Sequence, residues 1–343
     1  MLSLLLAVTA FKPNLAPPDD LTAVGETHLS HTHQLTFGGQ NAEAYWNFEG
    51  TKLSYQTMQP QYPDEQIFTM GALGEGKRLI STGRGRCTCS YFSPDGKWIY
   101  FSSTHATEPG PQAPVDRSKG YVWRVNQNYA LYRVRPDGSQ LQPIITKPGA
   151  YVAETTIAPN GKYMVWTSDF EGDLEIYRSD LNGGHIRRLT NEVGYDGGPF
   201  VSWDSKHIVY RRQAVNSPAE EAEYKQLLSE HLVRPTKLEI WVMNADGKNK
   251  RQVTHLGCAS FAPFMHPDEK RIVFSSNYGD PKGREFDIFI INIDGSGLER
   301  ITHSPEFDGF PMFTRDGKRL VFASNRNGKA PRETNLFVSD WNE

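Results

Sequence analysis

The sequence predicts an all-β protein: a six-bladed β-propeller of four-stranded antiparallel blades. Three observations carry the prediction. One hairpin pattern occurs six times, most copies are followed by a second hairpin, and the strand missing from the last copy stands at the start of the chain.

The clearest copy is FDGFPMFTRDGKRLVFAS at 307–324. It reads as an extended segment, a tight turn at Arg315-Asp316-Gly317-Lys318, and a second extended segment. Asp-Gly between two apolar runs signals a hairpin, because glycine accepts the positive φ that the turn needs. Related patterns stand at 47–57, 92–103, 157–168, 201–212 and 265–276. Six copies of one supersecondary unit make a repeat protein.

Taken in order, each copy acquires a third and a fourth strand. Blade one (37–82) continues as EQIFTMGALGEGKRLIST, and blade two (83–146) as YALYRVRPDGSQLQPIIT. Blade three (147–190) gives LEIYRSDLNGGHIRRLT, blade four (191–254) LEIWVMNADGKNKRQVT, and blade five (255–302) FDIFIINIDGSGLERIT. Four short strands per unit, repeated at roughly 45–65 residues, are the mark of a propeller. Blade six (303–343) stops after its third strand, NLFVSDW. His31-Thr32-His33-Gln34-Leu35-Thr36 has the Leu-Thr ending of a fourth strand, so residues 28–36 are expected to complete that blade. Closing the ring removes the open edges that invite aggregation. The expectation is one propeller over 27–343.

Bulk properties narrow the function. A net charge of −3 over 343 residues argues against a bulk electrostatic partner such as nucleic acid. No apolar run reaches the length of a membrane span. Residues 1–26 read as a flexible, signal-like start: MLSLLLAVTA is apolar and offers a cut after Ala10. Export to the periplasm or beyond is expected, with a cytoplasmic protein as the alternative. Three cysteines give no disulfide framework. Cys87 and Cys89, two apart on a strand, face one side and read as packed thiols.

The long insertions all follow second or fourth strands, so they fall on one face of the ring. They are 104–127 in blade two and 213–237 in blade four, with shorter ones at 59–63, 278–284 and 326–334. Long loops on a rigid scaffold commonly carry function. In blade four, Ser217, Pro218 and Glu220 form a helix start with a capping box. Tyr224, Leu227, Leu228, His231 and Leu232 give the helix one apolar face, and Pro235 stops it. Such a helix either packs on the ring or walls the central opening. In blade two, Tyr121 and Trp123 either stack on a sugar or peptide or pin the loop to its blade.

First strands line the channel. Their entrances on the decorated face carry Asn41, Glu43, Arg86, Cys87, Glu154, Asp196, Ser260 and Asp308. Converging acids can bind a cation or a basic group and would shift one another's pKa values. Asp196 and Asp308 can equally cap glycine turns in a solvated funnel. His105, His255 and His303 sit on the same side as speculative metal ligands, with calcium or manganese as the possible ion, but no HExxH or paired CxxC supports them. No Gly-x-Ser-x-Gly elbow, P-loop or dinucleotide fingerprint occurs.

YFSPDGKWIYFSS (91–103) and DIFIINIDGSGLERIT (287–302) resemble the TolB-type propeller repeat, a relative of the WD repeat. The resemblance covers about 28–343. TolB itself has an added N-terminal α/β domain for which this sequence leaves no residues, so its role in envelope assembly is not carried over. Gly120-Tyr121-Val122-Trp123, Leu232-Val233-Arg234-Pro235 and Phe307-Asp308-Gly309-Phe310-Pro311 suggest a distinct bacterial subfamily of uncharacterised TolB-like proteins. The resemblance implies fold more than function, because such repeats serve unrelated tasks. The expected role is binding a peptide, glycan or partner protein at the decorated face. The alternative is a metal-dependent saccharide lyase or hydrolase at the channel mouth, the architecture used by propeller lyases of pectin fragments. Neither oligomeric state nor a required cofactor is legible.

Overall fold

The computed structural model describes residues 20–62 and 64–343. The apolar start and its possible cleavage point lie outside the described residues. Six four-stranded antiparallel sheets follow one another around a ring. The first strands are Gln40–Trp46, Cys87–Phe92, Val152–Ile157, Gly194–Val201, Ser260–Met265 and Asp308–Phe313. Each touches the first strands of both neighbouring blades, so together they wall a central channel. Among the described residues no helix is long and apolar enough to cross a membrane.

The predicted closure is present. Leu29–Gln34 pairs antiparallel with Asn335–Trp341 as the outer strand of blade six, Leu29 opposite Trp341 and Gln34 opposite Phe337. The pairing extends beyond the strand: Leu35 N–H donates to the Leu336 carbonyl at 2.7 Å, and Asn342 N–H to that of His28 at 2.8 Å. The His28 ring stacks on Trp341 with centroids 4.9 Å apart.

The threonine that ends the fourth strand has a specific task in four blades, and Ser81 does it in blade one. The hydroxyl accepts a hydrogen bond from a third-strand N–H, as from Ile176 to Thr190 (2.9 Å), Ile240 to Thr254 (2.8 Å), Ile288 to Thr302 (2.9 Å) and Leu336 to Thr36 (2.8 Å). Fourth strands are as short as two residues, such as Arg187–Arg188 and Glu299–Arg300. The side chain therefore satisfies a buried donor that the truncated ladder leaves behind.

The turns follow from local chemistry. Asp316 Oδ1 accepts from Thr314 Oγ1 (2.7 Å) and Lys318 N–H (3.1 Å), and Gly317 takes φ +70°. In the outer hairpins the glycine also sets blade spacing. Gly183 has φ +79°, and a Cβ there would lie 2.5 Å from the Ile144 carbonyl of the preceding blade. Large side chains such as Trp46, Trp166, Tyr100 and Phe322 are fully buried.

The two large insertions meet. Trp123–Arg124 from blade two pairs antiparallel with Leu232–Val233 from blade four. Val125 N–H extends the pair by donating to the His231 carbonyl at 2.8 Å. Arg234 Nη1 donates to the Lys119 carbonyl at 2.9 Å, and Lys119 forms an ion pair with Glu230. The predicted helix spans Pro218–Ser229 with Ser217 as its cap, Ser217 Oγ accepting from Glu220 N–H at 3.2 Å. Glu220 reaches one residue past the cap, accepting from Asn216 N–H at 2.9 Å. The helix is shorter than its apolar pattern suggests. His231 adopts φ +60°, ending the helix, and Leu232 belongs to the ribbon, where its backbone pairs with Arg124. The helix buries Tyr224 and Leu227 against the ring and ribbon, so it is a buttress under a cross-bridge.

Candidate functional site

Every first strand carries one β-bulge at the same place in its pairing with the second strand. The bulged residues are Glu43, Cys89, Glu154, Gly198, Ala262 and Phe310, with φ between +49° and +60°. Five of the six are not glycine, and the left-handed region costs such residues roughly 1 kcal/mol or more each. A bulge breaks the period-two alternation of a strand and re-aims a side chain. All six bulged residues line one cavity of about 500 Å³ at the decorated mouth of the channel. The cross-bridge residues Trp123, Arg124 and Val233 border the same cavity.

The bulge divides the predicted mouth residues into two sets. Asn41, Cys87, Asp196, Ser260 and Asp308 stand two residues before the bulge, and all are buried. Asn41, Asp196, Ser260 and Asp308 do not line the cavity. Asn41 Nδ2 donates to the Thr334 carbonyl at 2.8 Å, and Ser260 Oγ lies 2.9 Å from Ser276 Oγ. Asp196 pairs with Arg212 at 3.0 Å, and burial pushes its carboxyl well above the usual range despite that partner. Asp308 shares Arg326 (2.9 Å) with Glu26 (2.8 Å). Both ion pairs lie within a single blade, Asp196 with Arg212 across the first two strands of blade four and Asp308 with Arg326 in blade six, and neither acid converges on the mouth.

Asp308 yields a pH prediction. Its Oδ1 is buried with no partner, and burial pushes the carboxyl up to about 7 against the pull of Arg326. A raised folded-state pKa favours folding fully below the unfolded value near 4 and loses that contribution as pH rises through about 7. Asp308→Asn removes this slope. In urea titrations, wild type is expected to lose on the order of a few kcal/mol relative to the variant between pH 4 and pH 8. Parallel curves for the two proteins would refute the assignment.

Glu43 and Glu154 do face the cavity. Glu154 is fully engaged: it accepts from Tyr195 Oη (3.0 Å) and Gly198 N–H (2.7 Å) and forms an ion pair with Arg211. Burial opposes its charge, but Arg211 and these donors hold its pKa below the ordinary value. Arg211 comes from the second strand of blade four and enters the cavity past Gly198, where any Cβ would collide with the guanidinium. Its ring contacts are Tyr195 at 4.9 Å and Trp123 at 5.5 Å. Glu43 is barely engaged. Tyr45 Oη donates to it at 3.3 Å, and burial, with Glu154 nearby, raises its pKa.

Arg86 borders the cavity but is already neutralised by Asp64 (2.6 Å) and Glu65 (3.1 Å). Trp123 Nε1 donates to Tyr121 Oη at 3.0 Å, which orients an otherwise exposed Tyr121 at the rim. Tyr129, Tyr151, Tyr195, Phe261 and Phe310 complete an aromatic wall. Cys87 is buried against Ser103 with its thiol pushed up to about 12 by burial, and Cys89 faces the cavity with its thiol also raised. Neither is poised as a thiolate nucleophile.

The three predicted histidines are not brought together. His105 packs on Tyr132 and lies 2.9 Å from Ser103 Oγ, and His303 offers its backbone N–H to Glu26. None of His105, His255 and His303 lines the cavity. The three therefore do not form one metal site at the channel mouth. Among the described residues, one group with metal-ligand spacing exists: Asp204, His207 and Glu269, in hairpin turns of the undecorated face. There Asp204 Oδ1 already accepts from Ser202 Oγ and Lys206 N–H, and Glu269 accepts from Asp204 N–H.

This architecture is a six-bladed propeller, and the model of the TolB beta propeller domain matches residues 233–332 of it. Among individual proteins, the chain is 25% identical over 188 residues to an uncharacterised protein of Agrobacterium fabrum, a match spanning 50% of this chain and 56% of that one. Three solved structures share the fold. A protein named for TolB in Agrobacterium tumefaciens has TM-score 0.56 at 20% identity, covering 88% of this chain and 86% of its own. TolB of Acinetobacter baumannii has TM-score 0.57 at 16% identity, covering 90% and 64%. An oligogalacturonate lyase in complex with manganese has TM-score 0.56 at 14% identity, covering 95% and 96%.

Proposed function

We propose that this propeller is a binding module whose ligand, a segment of a peptide, partner protein or glycan, enters the bridged cavity on the decorated face. The supporting observation is the set of six bulges that turn residues from every blade into one aromatic-walled cavity. A volume of about 500 Å³ suits a ligand of a few residues or sugar rings. Strained backbone repeated around a cavity is consistent with a site kept for use. The signal-like start and the TolB-like repeats support a role in the periplasm or outside the cell.

A thermal-shift screen of short peptides and oligosaccharides tests this. At hundredfold excess over Kd a ligand adds about 2.7 kcal/mol, enough for a shift of several degrees. Trp123→Ala, which removes one wall, is expected to abolish the shift, read against the variant's own unliganded melting point because Trp123 also packs on Phe261. A shift that survives Trp123→Ala would place the ligand elsewhere.

A second reading, a saccharide hydrolase or lyase, draws on one observation. Glu43 is pushed up and Glu154 down within one cavity, the split of a general acid and a general base. Turnover of oligosaccharides lost in both Glu43→Gln and Glu154→Gln would favour it over simple binding.

A further inference from the structure

The cavity holds two guanidinium groups committed to carboxylates and one carboxylate committed to none. Arg86 is held by Asp64 and Glu65, and Arg211 by Glu154. Glu43 has no arginine or lysine within ion-pair distance among the described residues, and its hydrogen-bond partners are neutral groups, the Tyr45 hydroxyl at 3.3 Å and the Cys89 thiol. Arg124, the remaining cation, belongs to the cross-bridge, where the Ala113 carbonyl holds it at 2.7 Å.

A half-buried carboxylate without a cation is costly unless something supplies one. The surroundings suit a particular supplier. Glu43 shares the cavity with the rings of Tyr45, Phe200, Phe261 and Phe310 and with the indole of Trp123. Aromatic faces attract cations and also pack against methylene chains. Two neighbouring charged groups are spent: Glu154 has three donors and Arg86 two carboxylates. One carboxylate without a cation beside aromatic walls matches a single cationic head on an apolar stem.

We propose that the cavity receives a lysine or arginine side chain of a peptide partner, with its cation seated on Glu43 and its stem against the aromatic wall. This rests on reading the cavity as a ligand site. Glu43 then sets specificity, and the bulge that holds it at φ +50° positions the carboxylate.

The test is calorimetric titration of the full chain with three blocked tripeptides, Ac-Ala-Lys-Ala-amide, Ac-Ala-Arg-Ala-amide and Ac-Ala-norleucine-Ala-amide, and with the glucosamine and N-acetylglucosamine trimers. A basic peptide is expected to bind at least about tenfold more tightly than the norleucine peptide, since an unpaired charge is left behind in the latter complex. Glu43→Gln is expected to remove that preference without lowering the melting temperature, because it deletes a carboxylate that has no cation partner in the free protein and leaves an amide oxygen to accept from Tyr45. Equal affinity for the lysine and norleucine peptides, or a preference that survives Glu43→Gln, would overturn the proposal while leaving the cavity a ligand site if Trp123→Ala still abolishes binding. Binding of the glucosamine trimer and of no peptide would overturn the choice of a peptide. Silence from all five probes would overturn both the proposal and the ligand-site reading.

Discussion

Deleting residues 20–34 is expected to prevent formation of a stable ring. The deletion removes the outer strand of blade six and leaves the third strand, Asn335–Trp341, with an unpaired row of backbone groups. It also removes buried Leu29, the hydroxyl of Thr32 that lies 2.6 Å from Ser339 Oγ, and the His28 ring stacked on Trp341. Glu26 goes too, which leaves Arg326 with one carboxylate where it had two. Circular dichroism melts and size-exclusion chromatography read the outcome. The expected result is loss of the cooperative transition, with aggregated material on the column. A truncated chain that melts cooperatively within a few degrees of full length would show that the other five blades close without it.

Arg326→Met carries the second large effect. Arg326 is buried, with Glu26 gripping it through both carboxylate oxygens (3.0 and 2.8 Å) and Asp308 through a third bond (2.9 Å). Both acids are buried as well. Removing one partner from such a cluster strands the rest and costs about 3–5 kcal/mol. The loss here belongs at the upper end, because two carboxylates are left facing each other. The triple variant Glu26→Gln, Asp308→Asn, Arg326→Met removes the charges together, so urea denaturation is expected to show it more stable than Arg326→Met alone. A triple variant as weak as the single one would mean that Arg326 matters for its packing against Phe322 and Phe337 and not for its charge.

The fold was legible because its signals are local and repeated. Asp-Gly turns, apolar strand runs and the Leu-Thr endings each act within a few residues, and six copies average out the noise in any one. The ring closure was legible for the same reason: 31–36 carries the ending that 335–341 lacks. The site was only half legible. Alternation predicts that Asp196 and Asp308 share a face with the mouth residues, but the bulge two positions later sends the neighbouring side chains elsewhere. A bulge of this kind has no obligatory residue, since Glu, Cys, Gly, Ala and Phe all occupy it here.

Arg211 was missed for a related reason. Its route into the cavity depends on the missing Cβ of Gly198, a contact between strands. Aligning the second strands does carry a faint signal. Arg211 and Arg212 stand where the other blades have Gln56 and Thr57, Ser102 and Ser103, Thr167 and Ser168, Ser275 and Ser276, and Ala323 and Ser324. The cross-bridge was beyond reach, because two-residue strands 109 positions apart in sequence (Trp123 to Leu232) pair by tertiary placement alone.

Leu29 lies directly opposite Trp341 in the pair that joins the first described strand to the last. Tension applied through the chain at these two positions therefore pulls at one end of an antiparallel ladder and loads its hydrogen bonds one after another, as in opening a zipper. A fastening that resists heat as one cooperative unit would yield to directional force by peeling. If this propeller is tethered through its N-terminal segment while a partner pulls on its C-terminus, blade six is where the ring would open first.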